Sequence, residues 1–162
     1  MKRLFKAVAV VSSVVALTFS MGAAAQASVS QGYISGSGTV TDDWGDEGEL
    51  SRSTFPNSSA TGIWQKVLYA DGYIGVNDID CRFGPTTEAA TIRWQAARQL
   101  DDDGRVGSLT FGRADNQLRT TGDPEIFRYD GTVRDEYFLR VNGRYELFPG
   151  HVAYYRSISS AC

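Results

Sequence analysis

Two arginines stand at matched places in a pattern the chain uses twice. Asp80-Cys81-Arg82-Phe83-Gly84-Pro85-Thr86-Thr87 returns as Asp103-Gly104-Arg105-Val106-Gly107-Ser108-Leu109-Thr110, with the shared form Asp-x-Arg-[Phe/Val]-Gly-x-x-Thr. A guanidinium is a planar fork of donors that fits a carboxylate, so Arg82 and Arg105 are candidate anion contacts; the alternative is two solvated surface cations. Trp64, Tyr69, Tyr73, Phe83 and Trp94 can stack on the apolar faces of pyranose rings, yet a small helical unit also needs aromatics for its core. Trp64 and Trp94 precede Gln65 and Gln95 at equivalent helical places, which predicts burial for both; Tyr73 follows a helix-capping glycine and is the surface candidate. Gln65 and Gln95 are buried-looking amides, expected to bond the backbone of a neighbouring turn because a buried amide must find partners.

The remaining chemistry is sparse. Asp78, Asp80 and Asp101 to Asp103 invite a calcium reading, but an EF-hand loop needs oxygens at alternate positions and a distal Glu, and none arrives at that spacing. Asp80 and Asp103 are instead expected to bond their own turns. His151 is the sole histidine, which excludes a zinc site with several His ligands. A nucleophilic arrangement would need His151 near Ser157 or Cys162, without a supporting motif. A carboxylate pair for glycoside hydrolysis is open on composition alone, Glu47, Glu49 and Glu125 having no distinguishing context. The expectation is no catalytic residue, no metal and no cofactor.

The elements that must position these groups follow from periodicity. Each copy of the pattern reads as a tight turn and a helix start, with the threonine expected to accept from an orphan amide of the first helical turn. Ile63, Trp64, Val67 and Leu68 fall at helical spacing and predict a helix over residues 62–71, closed by Gly72. A second helix is predicted over residues 85–99, opened by Thr86 or Thr87, and a third, shorter one after Ser108 using Leu109, Phe111 and Ala114. From Glu125 the period becomes two. Asp130-Gly131 and Asn142-Gly143 are hairpin-turn signals, and a two-residue Asn142-Gly143 loop sets Arg140 opposite Tyr145 and Leu139 opposite Glu146. His151 to Ser157 is a further strand candidate, giving a sheet of three or four strands. Residues 28–61, rich in Gly, Ser, Thr and Asp, read as a solvated leader with a short strand at Gly38–Thr41, packing Trp44, Leu50 and Phe55 on the rest.

The first 27 residues read as an export signal: Lys2, Arg3 and Lys6, a short apolar run from Ala7 to Thr18, and Ala25-Gln26-Ala27 as a small-x-small cleavage site. The apolar run is short for a bilayer span, the alternative to a cleaved signal being an uncleaved anchor. Removing three cations leaves 13 Lys and Arg against 19 Asp and Glu, a net charge of −6. That balance disfavours nucleic acid and anionic lipid, both of which need a basic surface. Cys81 and Cys162 are the only cysteines; an even count in an exported chain favours a disulfide, the alternatives being free thiols or a nucleophilic Cys81.

Read together, residues 62–114 resemble the peptidoglycan-binding domain found at the ends of many bacterial cell-wall hydrolases. The resemblance rests on Trp64-Gln65, Leu68, Gly72-Tyr73, Asp80 to Thr87, Glu88-Ala89-Ala90, Trp94-Gln95, Leu100 and Asp103 to Thr110, in the family's order and spacing over about fifty residues. Departures are Cys81 at the first turn's glycine, Thr91 at an apolar position and Gln99 at the glycine before Leu100. The resemblance implies a three-helix repeat domain at 62–114; with the readings above, the expectation is an α+β protein with a signal peptide at 1–27, a leader at 28–61 and an antiparallel β region at 115–162. The resemblance implies binding of peptidoglycan, by glycan or stem peptide, through Tyr73, Arg82, Phe83 and Arg105; with the export signal and the sparse catalytic inventory, the expectation is a secreted, extracellular or wall-associated, non-catalytic protein. The alternatives are a secreted protein–protein interaction module on the same scaffold, and a muralytic hydrolase with an unrecognised carboxylate pair.

Overall fold

A computed structural model describes residues 29–162, so the predicted signal peptide at 1–27 lies outside the described residues. The architecture is α+β. Among the described residues, the helices α1 (Ser59–Ala70), α2 (Pro85–Ala96) and α3 (Ser108–Asp115) precede the strands β1 (Leu118–Thr120), β2 (Ile126–Tyr129), β3 (Glu136–Val141), β4 (Arg144–Phe148) and β5 (His151–Val152). The strands form one antiparallel sheet in chain order. Helix α1 lies against β3 and β4. Only glycine fits at position 62, because a Cβ there would stand 2.6 Å from Leu147 and 2.8 Å from the Cys81 sulfur.

Helix α1 starts three residues earlier than periodicity suggests. Ser58 accepts a hydrogen bond from the Thr61 amide at 3.1 Å, an N-cap that the polar Ser58-Ser59 pair concealed. At the other end Gly72 takes φ +80° and closes the helix as predicted. Helix α2 ends at Ala96, and the chain leaves through Gln99 at φ 58°, the place where the resembling family has glycine. Both predicted threonine caps are corrected. Gly84 and Gly107 occupy the cap positions of α2 and α3, and neither offers a side-chain bond. Thr87 and Thr110 sit inside the first turn, with their hydroxyls directed elsewhere.

In the sheet, Arg140 opposes Tyr145 and Leu139 opposes Glu146, the register set by the Asn142-Gly143 turn, whose residues both have positive φ (51° and 75°). Asp130-Gly131 does not form a second two-residue hairpin. Instead residues 130–135 connect β2 to β3, because this stretch closes the end of α1. The amides of Val133 and Arg134 both donate to the Ala70 carbonyl, at 3.1 and 3.0 Å, and the Arg134 side chain donates to the Tyr69 carbonyl. Those bonds satisfy carbonyls that a helix end otherwise leaves open. The last strand is two residues long rather than seven, and β1 had no periodic signal in three residues.

The largest correction concerns residues 28–61. Gly38–Thr41 is no strand; a 3₁₀ turn spans Val40–Asp42. Trp44 and Leu50 are wholly buried and Phe55 packs on the core, as expected, but two acids of the segment, Asp43 and Glu47, are buried too. Trp44 stands edge-on to Phe111, Phe138 and Tyr145, with centroids 6.3, 5.4 and 5.3 Å away. The Asp43 carboxylate receives bonds from Arg140 and Tyr145, so the cross-strand pair that register placed side by side clasps an acid from the N-terminal segment. Glu47 accepts from the Ser35 amide at 2.7 Å and from the Tyr155 hydroxyl. One hydrophobic core therefore runs from Ile34 through the helices to Tyr155. Cys81 and Cys162 are disulfide-bonded with Cα atoms 5.8 Å apart, which ties the last residue to the first repeat turn. Among the described residues no helix is long and apolar enough to cross a membrane.

Candidate functional site

The two copies of the sequence pattern fold into two copies of one hydrogen-bonded unit, each organised by a glutamine. The Gln65 side-chain amide donates to Asp80 Oδ1 (2.9 Å), the Arg82 carbonyl (3.1 Å) and Thr87 Oγ1 (3.1 Å). Its oxygen accepts from the amides of Asp80 (3.1 Å) and Cys81 (2.8 Å). Thirty residues on, Gln95 donates to Asp103 Oδ1 (3.2 Å), the Arg105 carbonyl (2.7 Å) and Thr110 Oγ1 (3.1 Å), and accepts from the Gly104 amide (2.9 Å). Asp80 and Asp103 complete the units by accepting from the amides of Arg82 and Arg105, both at 2.9 Å. Every part of the repeated pattern thus has a physical role. The aspartate fixes the turn, the arginine supplies a carbonyl inward and its side chain outward, and the threonine returns a hydroxyl to the glutamine. Both aspartates are committed to these turns, and among the described residues no group of His, Cys, Asp or Glu is placed to hold a metal ion.

Because each glutamine is buried, its loss leaves several polar groups without partners. Gln95→Ala is expected to cost about 2–3 kcal/mol of stability, read from the midpoint of urea unfolding. A loss under about 0.5 kcal/mol would mean the turn holds itself.

The tryptophans lie beside these units and are buried, as predicted. Their rings meet edge-on at 4.9 Å, Trp64 Nε1 donates to Thr91 Oγ1 at 2.8 Å, and Trp94 Nε1 donates to Asp71 Oδ2 at 2.7 Å. Thr91, polar where the family is apolar, is accounted for by the indole it receives.

Of the four candidate ligand contacts, two reach the surface as turn tips. Arg82 and Arg105 are exposed. Phe83 is only 3 % exposed and belongs to the core, so it presents no ring face to a sugar. Tyr73 is half-buried against the core, on the connection between α1 and α2. The segment just before α1 crosses both turns. Leu50 and Val106 exchange backbone bonds (3.0 and 2.9 Å), and farther along the Phe83 amide donates to the Pro56 carbonyl at 2.6 Å. At the second turn this leaves an open groove of ≈ 200 Å³, lined by Glu49, Leu100, Asp101, Arg105, Ser108, Leu109 and neighbouring turn residues. Arg105 is the one predicted contact in its lining.

Sequence reading left Glu49 without a distinguishing role and assigned Leu109 to the helix's apolar face. Phe111 and Ala114 are buried as expected, whereas Leu109 is 72 % exposed at the groove's edge. An apolar residue directly after the Arg-Val-Gly-Ser turn was the available signal.

His151 meets Ser159 rather than Ser157 or Cys162, its Nδ1 lying 2.6 Å from Ser159 Oγ. Among the described residues no carboxylate joins the pair, and Ser159 Oγ also accepts from the Ala161 amide at 3.0 Å, the mark of a local turn.

Residues 57–113 match the sequence model of the family described as "Putative peptidoglycan binding domain". The match covers the two glutamine-centred units and stops before the sheet. Comparison with curated proteins returns no match, nor does comparison with solved structures.

Proposed function

Because residues 57–113 carry the peptidoglycan-binding family's repeat, we propose that this protein is a secreted, non-catalytic binder of the bacterial cell wall. The observation that carries the reading is the duplicated glutamine-centred turn, which holds an arginine outward at each tip while the rest of the unit is locked. The contact surface is the tip of the second repeat, with Arg105 and Leu109 beside one groove, and Arg82 is an accessory contact at the first tip. Binding is weak, since so small a surface buries little area. The sheet and the N-terminal segment act as the frame that fixes the turns.

The test is co-sedimentation of the protein, without its first 27 residues, with purified insoluble peptidoglycan while turbidity is followed. The expected result is protein in the pellet at constant turbidity, with Arg105→Ala moved to the supernatant. Protein left in the supernatant would overturn wall binding and direct the search to protein partners. Falling turbidity would replace the non-catalytic reading with a muralytic one.

A further inference from the structure

Arg105, the guanidinium best placed to take a carboxylate from outside, already holds one from within. Its Nη1 donates to both carboxylate oxygens of Glu49 at 3.0 Å. The matched Arg82 has no side-chain ion pair among the described residues. The pair lies at the groove's wall and is open to water, with 51 % of the Arg105 side chain and 34 % of the Glu49 side chain exposed. An ion pair so hydrated is weak enough to be displaced. Glu49 also has somewhere to go. Its Oε1 accepts from Thr54 Oγ1 at 3.1 Å and from Ser51 Oγ at 3.4 Å, so the carboxylate can stay on these hydroxyls after Arg105 lets go. Its backbone cannot drift, because the next residue, Leu50, is bonded twice to Val106.

We propose that Glu49 is an internal stand-in for the ligand: it occupies Arg105 until a peptide carboxylate replaces it, and so sets the affinity and selectivity of the groove. This rests on the wall-binding reading and deepens it, by choosing peptide over glycan. The groove's charge narrows the chemistry further. Asp101 and Asp103 stand in the same lining, and Asp103 is consumed by its turn. A polyanion is repelled there. A short peptide end that presents a carboxylate to Arg105 and an ammonium to Asp101 from neighbouring residues is matched, with Leu100 and Leu109 beside it for a small apolar side chain.

The test titrates alanylalanine, as a zwitterionic probe, into isotope-labelled protein and follows the amide signals of Arg105 and Leu109. Glu49→Gln is expected to tighten binding by about twofold to fivefold, the range an exposed ion pair commands. Arg105→Gln is expected to abolish binding, and C-terminally amidated alanylalanine to bind no variant. The double variant should match Arg105→Gln alone. Equal or weaker binding by Glu49→Gln overturns the proposal, as does a gain that persists without Arg105, which would make Glu49 a general repulsive charge. Glu49→Gln keeps the Leu50 and Thr54 anchors, and an unchanged thermal midpoint confirms that folding is not the variable. Wall sedimentation of the same variants separates the two readings. Wall binding indifferent to Glu49 keeps the function and loses this inference; dipeptide binding without wall sedimentation does the reverse.

Discussion

Asp71→Asn is expected to destabilise the fold by about 3–5 kcal/mol, the cost of leaving a buried charge without its partner. The Asp71 side chain is 1 % exposed and pairs with Arg98 at 2.7 Å. The same carboxylate oxygen receives Trp94 Nε1 (2.7 Å) and the Tyr129 hydroxyl (2.9 Å), while the other receives the amide and hydroxyl of Thr132 (2.8 and 3.1 Å). All five partners donate. An asparagine offers one oxygen and one NH₂ group, so whichever way it turns, donors face donors. Asp71 joins the end of α1 to α2, to β2 and to the β2–β3 connection, so the loss is global rather than local. Urea unfolding should show a lower midpoint with an unchanged slope. Adding Tyr129→Phe to the variant should cost less than it does in the wild type, because the two residues share one interaction. A loss below about 1 kcal/mol, or strict additivity, would show that Asp71 is not the junction described.

The second large effect is on pH. Burial is the main cause that pushes the carboxyl groups of Glu47 and Asp115 up to about 7, and it raises Asp43 as well. In the unfolded chain these groups ionise near pH 4. Between about pH 4.5 and 7 the folded protein therefore holds protons that the unfolded chain has released. Stability must fall as pH rises through that window, by on the order of 3 kcal/mol for each of Glu47 and Asp115. The thermal midpoint is expected to be on the order of 10 °C higher at pH 5.5 than at pH 8. Glu47→Gln should flatten the profile and raise the midpoint at pH 8, since its amide keeps the bond from the Ser35 amide without a buried charge. A midpoint that is level or climbs from pH 5.5 to 8 would sink this account.

What the sequence disclosed depended on whether a residue's partner lay nearby in the chain. The duplicated Asp-x-Arg-[Phe/Val]-Gly-x-x-Thr turns, the glutamines that hold them and the Asn142-Gly143 register were legible, because each is satisfied within about twenty-five residues of its own position. Glu47 and Asp43 were not, because they are sequestered by Tyr155 and Arg140, 108 and 97 residues away. A Gly- and Asp-rich stretch carries no period, so its composition suggested solvent where tertiary pairing supplies a core. The same distance hid the site. Arg105 could be singled out from its matched place in the repeat, but Glu49 reaches it from 56 residues upstream through a backbone pairing that no local pattern announces. Phe83 shows the converse error: an aromatic at a turn invited a sugar-stacking role, while the Pro56 backbone lies over its amide and the ring fills the interior.

The crossing of residues 49–57 over both turns, pinned by single bridges at Leu50 and Asn57, has a practical corollary for anyone wishing to reuse the repeat. A fragment cut at the limits of the family match would begin at Asn57, after Glu49, Leu50 and Trp44, and end before the sheet that covers α1. It would surrender the backbone bonds at Val106 and Phe83, uncover Phe111, and part with Cys162. The repeat in this protein is consequently not a portable module. Grafting its recognition onto another scaffold would require transplanting the two turns together with the chain that laces them, and a minimal truncation is expected to aggregate instead of binding.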